Sequence, residues 1–340
     1  MIHLVTGGSG FLGSLIARRL QAEGEEVRIL DLWEDKDRTR GIRFFPGDIR
    51  DAGAVAQAMR GVGVVHHTAA LVPLTKAGRR FWDVNVTGSR LVAEAAVKAG
   101  VQTFVHLSSS AVFGVPPACP VTAQSPLRPV EVYGRSKLAA EEAVQAVCAA
   151  KEISLVVVRP RTIIGKGRMG IFQILFDWIR EHRDVYVIGS GRELLQFVHA
   201  DDLISACLLA ARSGGPGIYH VGARHFGSLR EGLEGVIRHA GTGSRVRSLP
   251  SLPAVVGLGI LDKFGLSPLA PWHYRTLDKS FYFDISPLQR LGWNPRYSND
   301  EMLRESYDWF LENCHDLRDR ESPHRRPVRE RLLGVLKRFS

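Results

Sequence analysis

The sequence predicts an α/β chain built on a doubly wound parallel sheet. Short apolar runs alternate with segments of helical apolar spacing through the first half of the chain. The first of these runs ends in a glycine cluster at the head of the first helix. Strands that alternate with helices pair in parallel and are joined by right-handed crossovers. A length of 340 residues exceeds one domain of ordinary size, so a second, smaller unit is expected.

The elements follow in order. Residues 2–6 are a short apolar run that stops at glycines, and 12–22 carry helical spacing up to Gly24. Residues 27–32 read as a strand, and Phe44-Phe45 as another. Residues 62–67, 103–108 and 155–158 are further apolar runs, with helices expected over 81–99 and 136–150 between them. Beyond Arg159 the rhythm loosens. A helix is expected over 172–182, a strand feeding a helix over 197–211, and a last strand over 217–222. Helical pieces and Pro-rich loops fill 223–314. The expected division is a nucleotide-binding unit over 1–165 with 196–222 contributing. The smaller substrate unit, partly interleaved, takes 166–195 and 223–314, and a tail takes 315–340.

Composition excludes several classes. Hydrophobic residues make up 45% and charged residues 24%, which is neither a disordered chain, a collagen nor a coiled coil. The four cysteines are far apart and form no Cys-x-x-Cys pair, so no metal site is expected. The chain opens directly into a strand without a signal peptide, and a cytoplasmic protein is expected. The net charge is +10, of which +5 lies in residues 318–340. Phe339 is the one aromatic residue of that tail, so the charge does not read as a nucleic-acid face.

The loop Thr6-Gly7-Gly8-Ser9-Gly10-Phe11-Leu12-Gly13 joins the first strand to the first helix. Glycines there let backbone N–H groups approach a pyrophosphate, and the helix N-terminus adds partial positive charge. Gly13 lets the helix lie close to the sheet. Asp31 ends the second strand, where a carboxylate accepts hydrogen bonds from both ribose hydroxyls of an adenosine and repels a 2′-phosphate. NAD is therefore the expected cofactor, with Arg38 and Arg40 leaving NADP open. Asp48 suits an adenine amino group and Ile49 the adenine ring; an ordinary turn is the plainer reading.

Tyr133 and Lys137 stand four residues apart, on one helical face. A phenol with pKa near ~10 is a poor base at neutral pH, and a neighbouring ammonium would lower it. The run Ser108-Ser109-Ser110-Ala111-Val112-Phe113-Gly114 closes a strand at the sheet edge where open parallel sheets bind ligands. A serine there can hydrogen-bond a substrate oxygen, while capping accounts for the others.

The glycine loop, the serine run and the Tyr133/Lys137 pair resemble the extended short-chain dehydrogenases, the NAD-dependent epimerase/dehydratase superfamily, over about residues 1–312. The resemblance implies a Rossmann fold and a homodimer. It selects Ser109, five residues before Gly114, as the active serine, although Phe113 stands where a tyrosine is commoner. It places Thr68-Ala69-Ala70 beside the adenosine ribose. It also likens Asn85-Val86-Thr87-Gly88 to a helix start and marks Arg159-Pro160 and the stretch through Asp202 as landmarks, Asn85 and Arg159 being expected near the cofactor. The implied chemistry is reversible oxidation of a secondary alcohol to a ketone. Tyr133 takes the hydroxyl proton, Ser109 polarises the oxygen, Lys137 supports both the phenol and the ribose, and NAD accepts the hydride.

Two substrate branches are open. Arg161-Thr162 stands where nucleotide-sugar epimerases and dehydratases carry Phe-Asn-like residues, and 272–277 lack a Gly-Asp. The stretches 196–199 and 281–286 look closer to 3β-hydroxysteroid and sterol dehydrogenases. Residues 248–261 carry no charge, a length that suits a buried helix or an interfacial segment. In the tail, Val328, Leu332, Val335, Leu336 and Phe339 fall on one helical stripe among basic residues. Such a helix lies on an anionic membrane or docks on protein. The expectation is a bulky, partly apolar sterol or lipid alcohol, with peripheral membrane contact through 248–261 and 318–340. A nucleotide-sugar epimerase or dehydratase with tightly held NAD is the alternative.

Overall fold

The computed structural model describes residues 1–314, apart from Lys36, Lys76, Glu152, Gly214, Gly265, Leu266, Pro268 and Ala270. The tail expected over 315–340 lies outside the described residues.

Seven parallel strands form the central sheet. They are β1 (Ile2–Thr6), β2 (Glu26–Asp31), β3 (Arg43–Pro46), β4 (Val64–His67), β5 (Thr103–Leu107), β6 (Ser154–Pro160) and, after four strands that lie elsewhere, β11 (Gly217–Val221). Their spatial order is β11-β6-β5-β4-β1-β2-β3, so the chain winds outward from β1 in both directions. Thr6 pairs with Leu30 and His67, His67 with His106, and Leu107 with Val158. The C-terminal strand ends therefore line up along one edge, the edge that holds ligands in folds of this kind.

Alternate residues of β1 face opposite layers. Leu4 packs with Val55, Val92 and Val144 of helices α2 (Ala52–Met59), α3 (Ser89–Ala99) and α4 (Val132–Ala149). Val5 packs with Ile16, Leu20, Ile204 and Leu208 of helices α1 (Phe11–Ala22) and α6 (Ala200–Arg212). The helix expected over 81–99 is composite: wide π-type turns over Trp82–Gly88 lead into α3.

Three two-stranded sheets lie beyond the central one. β7 (Thr162–Ile164) pairs in parallel with β10 (Phe197–His199), and β8 (Val185–Ile188) in parallel with β13 (Val246–Leu249). β9 (Leu194–Leu195) runs antiparallel to β12 (Gly227–Ser228). Thus 162–164 and 197–199, expected within the nucleotide-binding unit, leave its sheet and form one of their own. Helices α5 (Phe172–Arg180), α7 (Leu229–Ala240), α8 (Ser251–Lys263), α9 (Pro271–Thr276), α10 (Ser286–Gln289) and α11 (Asn299–Asn313) complete this region. Asp202 fastens it to α6: its carboxylate accepts from the backbone N–H groups of Arg296 and Tyr297.

The uncharged run 248–261 divides between β13 and α8. Ala254, Val255 and Leu258 of α8 pack against Ile188, Leu269 and Tyr274. Leu252, Val256, Ile260 and the following Phe264 are exposed at 76%, 52%, 52% and 74%. Their spacing of four puts them on one stripe, so α8 is apolar on its packed and its open face. No helix among the described residues is long and apolar enough to cross a membrane.

Candidate active site

The glycine loop closes tightly on the sheet. Gly7 has φ of +70°, and a Cβ there would come 2.7 Å from the backbone of Ala69. A Cβ on Gly13 would come 2.2 Å from the carbonyl oxygen of Gly7. Gly10 caps α1 without a side chain, which leaves the N–H groups of the first turn pointing out of the helix. Thr68 holds the other wall, its hydroxyl donating to the Thr6 carbonyl at 2.8 Å. The structure thus brings Gly7, Gly10, Phe11, Leu12 and Gly13 together with Thr68 and Ala69, and Ala70 follows directly. Asp31 is tied to this loop, accepting from the N–H of Ser9 at 3.0 Å and of Leu32 at 2.7 Å. Burial pushes its carboxyl above the usual range, and those backbone bonds pull the other way. This cradle, with an uncapped helix end and a carboxylate at the strand tip, fits a dinucleotide.

Asp48 and Ile49 lie one strand further out. Asp48 is engaged by Arg50, whose Nη2 donates to it at 2.6 Å and holds its carboxyl below the usual range. Ile49 is buried in the layer of α2 and α3. Asn85 is fully buried, accepts from the Leu71 N–H at 2.8 Å and donates to Ser136 Oγ at 3.0 Å. It braces the segment after β4 against α4.

The serine run separates by environment. Ser108 is buried and donates to Glu141, and Ser110 is buried in the turn after β5. Ser109 is half-buried, accepts from the Ala111 N–H at 3.1 Å and hydrogen-bonds the Tyr133 phenol. Of the three hydroxyls, only that of Ser109 stands with the phenol.

Tyr133 enters from the first turn of α4. Glu131 caps that helix, accepting from the N–H groups of Tyr133 and Gly134, each at 2.7 Å. The ring of Phe81 meets the phenol ring edge-on at 5.9 Å between centroids. Burial pushes the Tyr133 hydroxyl above its usual range; the Ser109 hydrogen bond and the Arg168 charge pull it down. The expected downward pull from Lys137 is replaced by these two. Lys137 spends its ammonium on the Leu107 carbonyl at 2.7 Å, and burial lowers its pKa to about 8 against an upward pull from Glu141.

Arg159 keeps different company from that expected. Its guanidinium forms a buried ion pair with Glu141 at 2.6 Å and lies 5.2 Å from the Phe113 ring. Glu141 thereby links Ser108, Arg159 and, through its charge, Lys137. Glu131, Glu141 and Arg168 belong to this site and were not anticipated. The acid just ahead of the Tyr133 helix was a readable capping signal; the other two depend on chain segments that meet only in the fold.

Comparison with known proteins agrees with this geometry. Residues 3–222 match the profile of the NAD dependent epimerase/dehydratase family. An uncharacterized protein of Sinorhizobium fredii is 43% identical over 98% of this chain and 85% of its own length. The sterol-4-alpha-carboxylate 3-dehydrogenase, decarboxylating, of Mus musculus is 31% identical over 61% of this chain and 58% of its own. The Thermus thermophilus UDP-glucose 4-epimerase, solved as a complex with NAD, superposes with a TM-score of 0.74 at 26% identity. That superposition covers 92% of this chain and 99% of the epimerase.

Proposed function

The chain belongs to the NAD-dependent epimerase/dehydratase family, and from that premise we propose that it oxidises a secondary alcohol on a bulky, apolar sterol- or lipid-type molecule. When bound, NAD supplies the acceptor for the carbinol hydride. The Gly7–Gly13 cradle and Asp31 are the residues suited to hold its pyrophosphate and adenosine ribose. Asp48, Ile49, Thr68, Ala69 and Ala70 line the approach to the adenosine. Asn85 and Arg159 act one step back, bracing α4 and the serine turn.

Tyr133 is the proton-handling group. Its oxygen takes the alcohol proton as the carbonyl forms and returns it in the reverse direction. Ser109, bonded to the phenol, donates to the same substrate oxygen. Lys137 stands one turn along α4, where its ammonium is suited to hold the nicotinamide ribose, while Ser109 and Arg168 pull the phenol pKa down. Leu107 and Glu141 fix that ammonium in place.

One observation carries the apolar substrate. α8 stands in the substrate-side region with its apolar stripe open, which suits a helix resting on a lipid surface from which such a substrate is drawn. The basic residues of 318–340 would add attraction to an anionic surface, and a homodimer is part of the same reading. The sterol dehydrogenase relatives support it. A nucleotide-sugar epimerase or dehydratase is the second reading, favoured by the near-complete superposition on the epimerase.

The deciding experiment incubates purified protein with NAD and a panel of sterols, hydroxy-lipids and UDP- or dTDP-sugars. Net NADH with a lipid alcohol is the expected result. A sugar isomer formed without net NADH reverses the ranking. In a parallel liposome sedimentation, serine at Leu252, Val256 and Ile260 is expected to release the protein from anionic vesicles; undiminished binding removes α8 from the argument.

A further inference from the structure

Helix α8 turns one face onto Ile188, Leu269 and Tyr274 and leaves large apolar side chains in water on the other. Leu252, Val256, Ile260 and Phe264 follow one another at a spacing of four, and among the described residues nothing covers them. At 1.5 Å per residue this row runs for about 18 Å. A contiguous apolar row on a folded surface marks an interaction site.

The sequence holds a second row of the same length. Val328, Leu332, Val335, Leu336 and Phe339 fall on one side of a helical pattern about 17 Å long. Arg329, Arg331, Lys337 and Arg338 fall on its flanks and back. Pro327 stands just ahead, at the first-turn position that a helix accepts. A helix this short is marginal in water by itself and gains its stability by burying its apolar side.

The tail can reach α8. Helix α11, which ends at Asn313, packs on α5, α5 on β8, and β8 on α8. Each packing step is about 10 Å. Residues 315–327 span up to about 43 Å when extended. A tether of that length holds the second row at an effective concentration near mM, which favours it over another copy of the chain in dilute solution.

We propose that residues 328–339 lie as a helix along the open face of α8, with the two apolar rows against each other and the basic side chains at the rim. The docking stands independently of the alcohol-oxidising reading. Joined to that reading, it makes the tail a cover that an anionic lipid surface displaces before α8 meets lipid. The displaced tail then brings its own basic residues to the same surface.

The test uses the full chain with photoreactive benzoylphenylalanine in place of Val256. A control chain carries it in place of Ile218, an exposed apolar position on the edge strand β11. Each is irradiated in dilute solution, and peptide mass spectrometry identifies what the probe captures. The Val256 probe is expected to capture residues 328–339 of its own chain, at least ~10-fold more than the Ile218 probe does. Leu332→Ser combined with Leu336→Ser is expected to lower that yield ~10-fold or more, as the loss of two buried leucines provides. No capture of the tail, capture of a second chain instead, or equal capture from Ile218 overturns the proposal. So does a yield unchanged in the double-serine chain. Phosphatidylserine vesicles are then added, and capture is expected to pass from the tail to lipid. Tail capture unchanged by vesicles sinks the lipid contact of α8 and leaves the docking standing. Lipid captured with vesicles, but no tail captured in water, sinks the docking and leaves the lipid contact intact.

Discussion

Arg159 and Arg161 leave the same strand two residues apart and meet opposite surroundings. Arg159 points into the cofactor half, where Glu141 neutralises it and Ser108 completes the carboxylate's bonding. Arg161 points into the substrate half, among Trp272, Phe281 and Phe283, with no acid among the described residues beside it. The cofactor half is thus electrostatically closed before any ligand arrives, while the substrate half holds charge in reserve. A closed network fixes the positions of Tyr133 and Lys137. An open one is where a varying substrate can be recognised.

Acid tests the closed half most severely. His66 and His67 are buried in β4 with pKa values lowered to about 3, His220 in β11 to about 4, and His106 in β5 is pushed well down; burial is the first cause for each. These rings stay neutral in the fold and take protons when it opens. A lowered folded pKa means that the stability is full above the ordinary value of ~6.5 and drains away as pH falls below it. Each group drains about 1.4 kcal/mol per pH unit, so the four together remove roughly 5 kcal/mol between pH 5.5 and 4.5. That is comparable to the whole stability of a typical domain, so unfolding is expected within this window. Melting temperature against pH checks it. Replacing His106 by leucine is expected to shallow the slope by about a quarter, and an unchanged slope removes that histidine from the account.

Opening the ion pair comes next. Arg159→Met strands the Glu141 carboxylate, which is expected to destabilise by about 3–5 kcal/mol. The double change Arg159→Met with Glu141→Leu is expected to recover part of that loss, because neither member of the pair is left charged, while Lys137 and Ser108 lose the support of Glu141. Denaturant titration of the three variants measures the coupling. If the double variant is as unstable as the sum of the singles, the two residues do not act as a unit.

Lys137 shows how the closed half carries a strained charge for function. Its pKa is lowered to about 8, so the ammonium is disfavoured in the cofactor-free fold. The penalty is full below pH ~8, shrinks as pH rises toward the ordinary value near ~10.4, and vanishes above it. Lys137→Met is therefore expected to stabilise the cofactor-free protein by roughly 2 kcal/mol at pH 7, after allowing for the lost bond to Leu107. The gain should fade above pH 8, while turnover is lost. A variant destabilised at pH 7, with no such fading, contradicts the desolvation of this ammonium.

The same contrast governs what could be read from the sequence. The cofactor half is local in its logic. The glycine loop lies between a strand and a helix adjacent in sequence, Asp31 ends the next strand, and Tyr133 and Lys137 share one helical turn. These placements need no knowledge of distant residues. The partners of Arg159 and Arg168 come from elsewhere in the chain, and so does the choice among the three serines, which turns on which hydroxyl meets the Tyr133 phenol. In the substrate half, β8 pairs with β13 across about sixty residues, and Asn299 bonds Phe197 and Leu195 from a helix a hundred residues away. Strands of two to four residues held by such contacts carry too little periodicity to be recognised.

Arg161→Met is the smallest of the expected effects and the most direct comparison with Arg159→Met. Burial lowers the Arg161 pKa to about 9, so its charged form is disfavoured by the fold at neutral pH. Methionine fills much of the same volume among Trp272, Phe281 and Phe283 and adds sulfur–aromatic contacts, while giving up one bond to the Gln196 carbonyl. The exchange of an uncompensated charge for an apolar chain is expected to leave stability unchanged or raise it by about 1 kcal/mol. The same chemical change at Arg159 runs several kcal/mol in the other direction, because there a carboxylate is left behind. Parallel urea titrations of the two variants decide the matter. If Arg161→Met is as destabilising as Arg159→Met, an acid answers Arg161 after all, and the substrate half is as closed as the cofactor half.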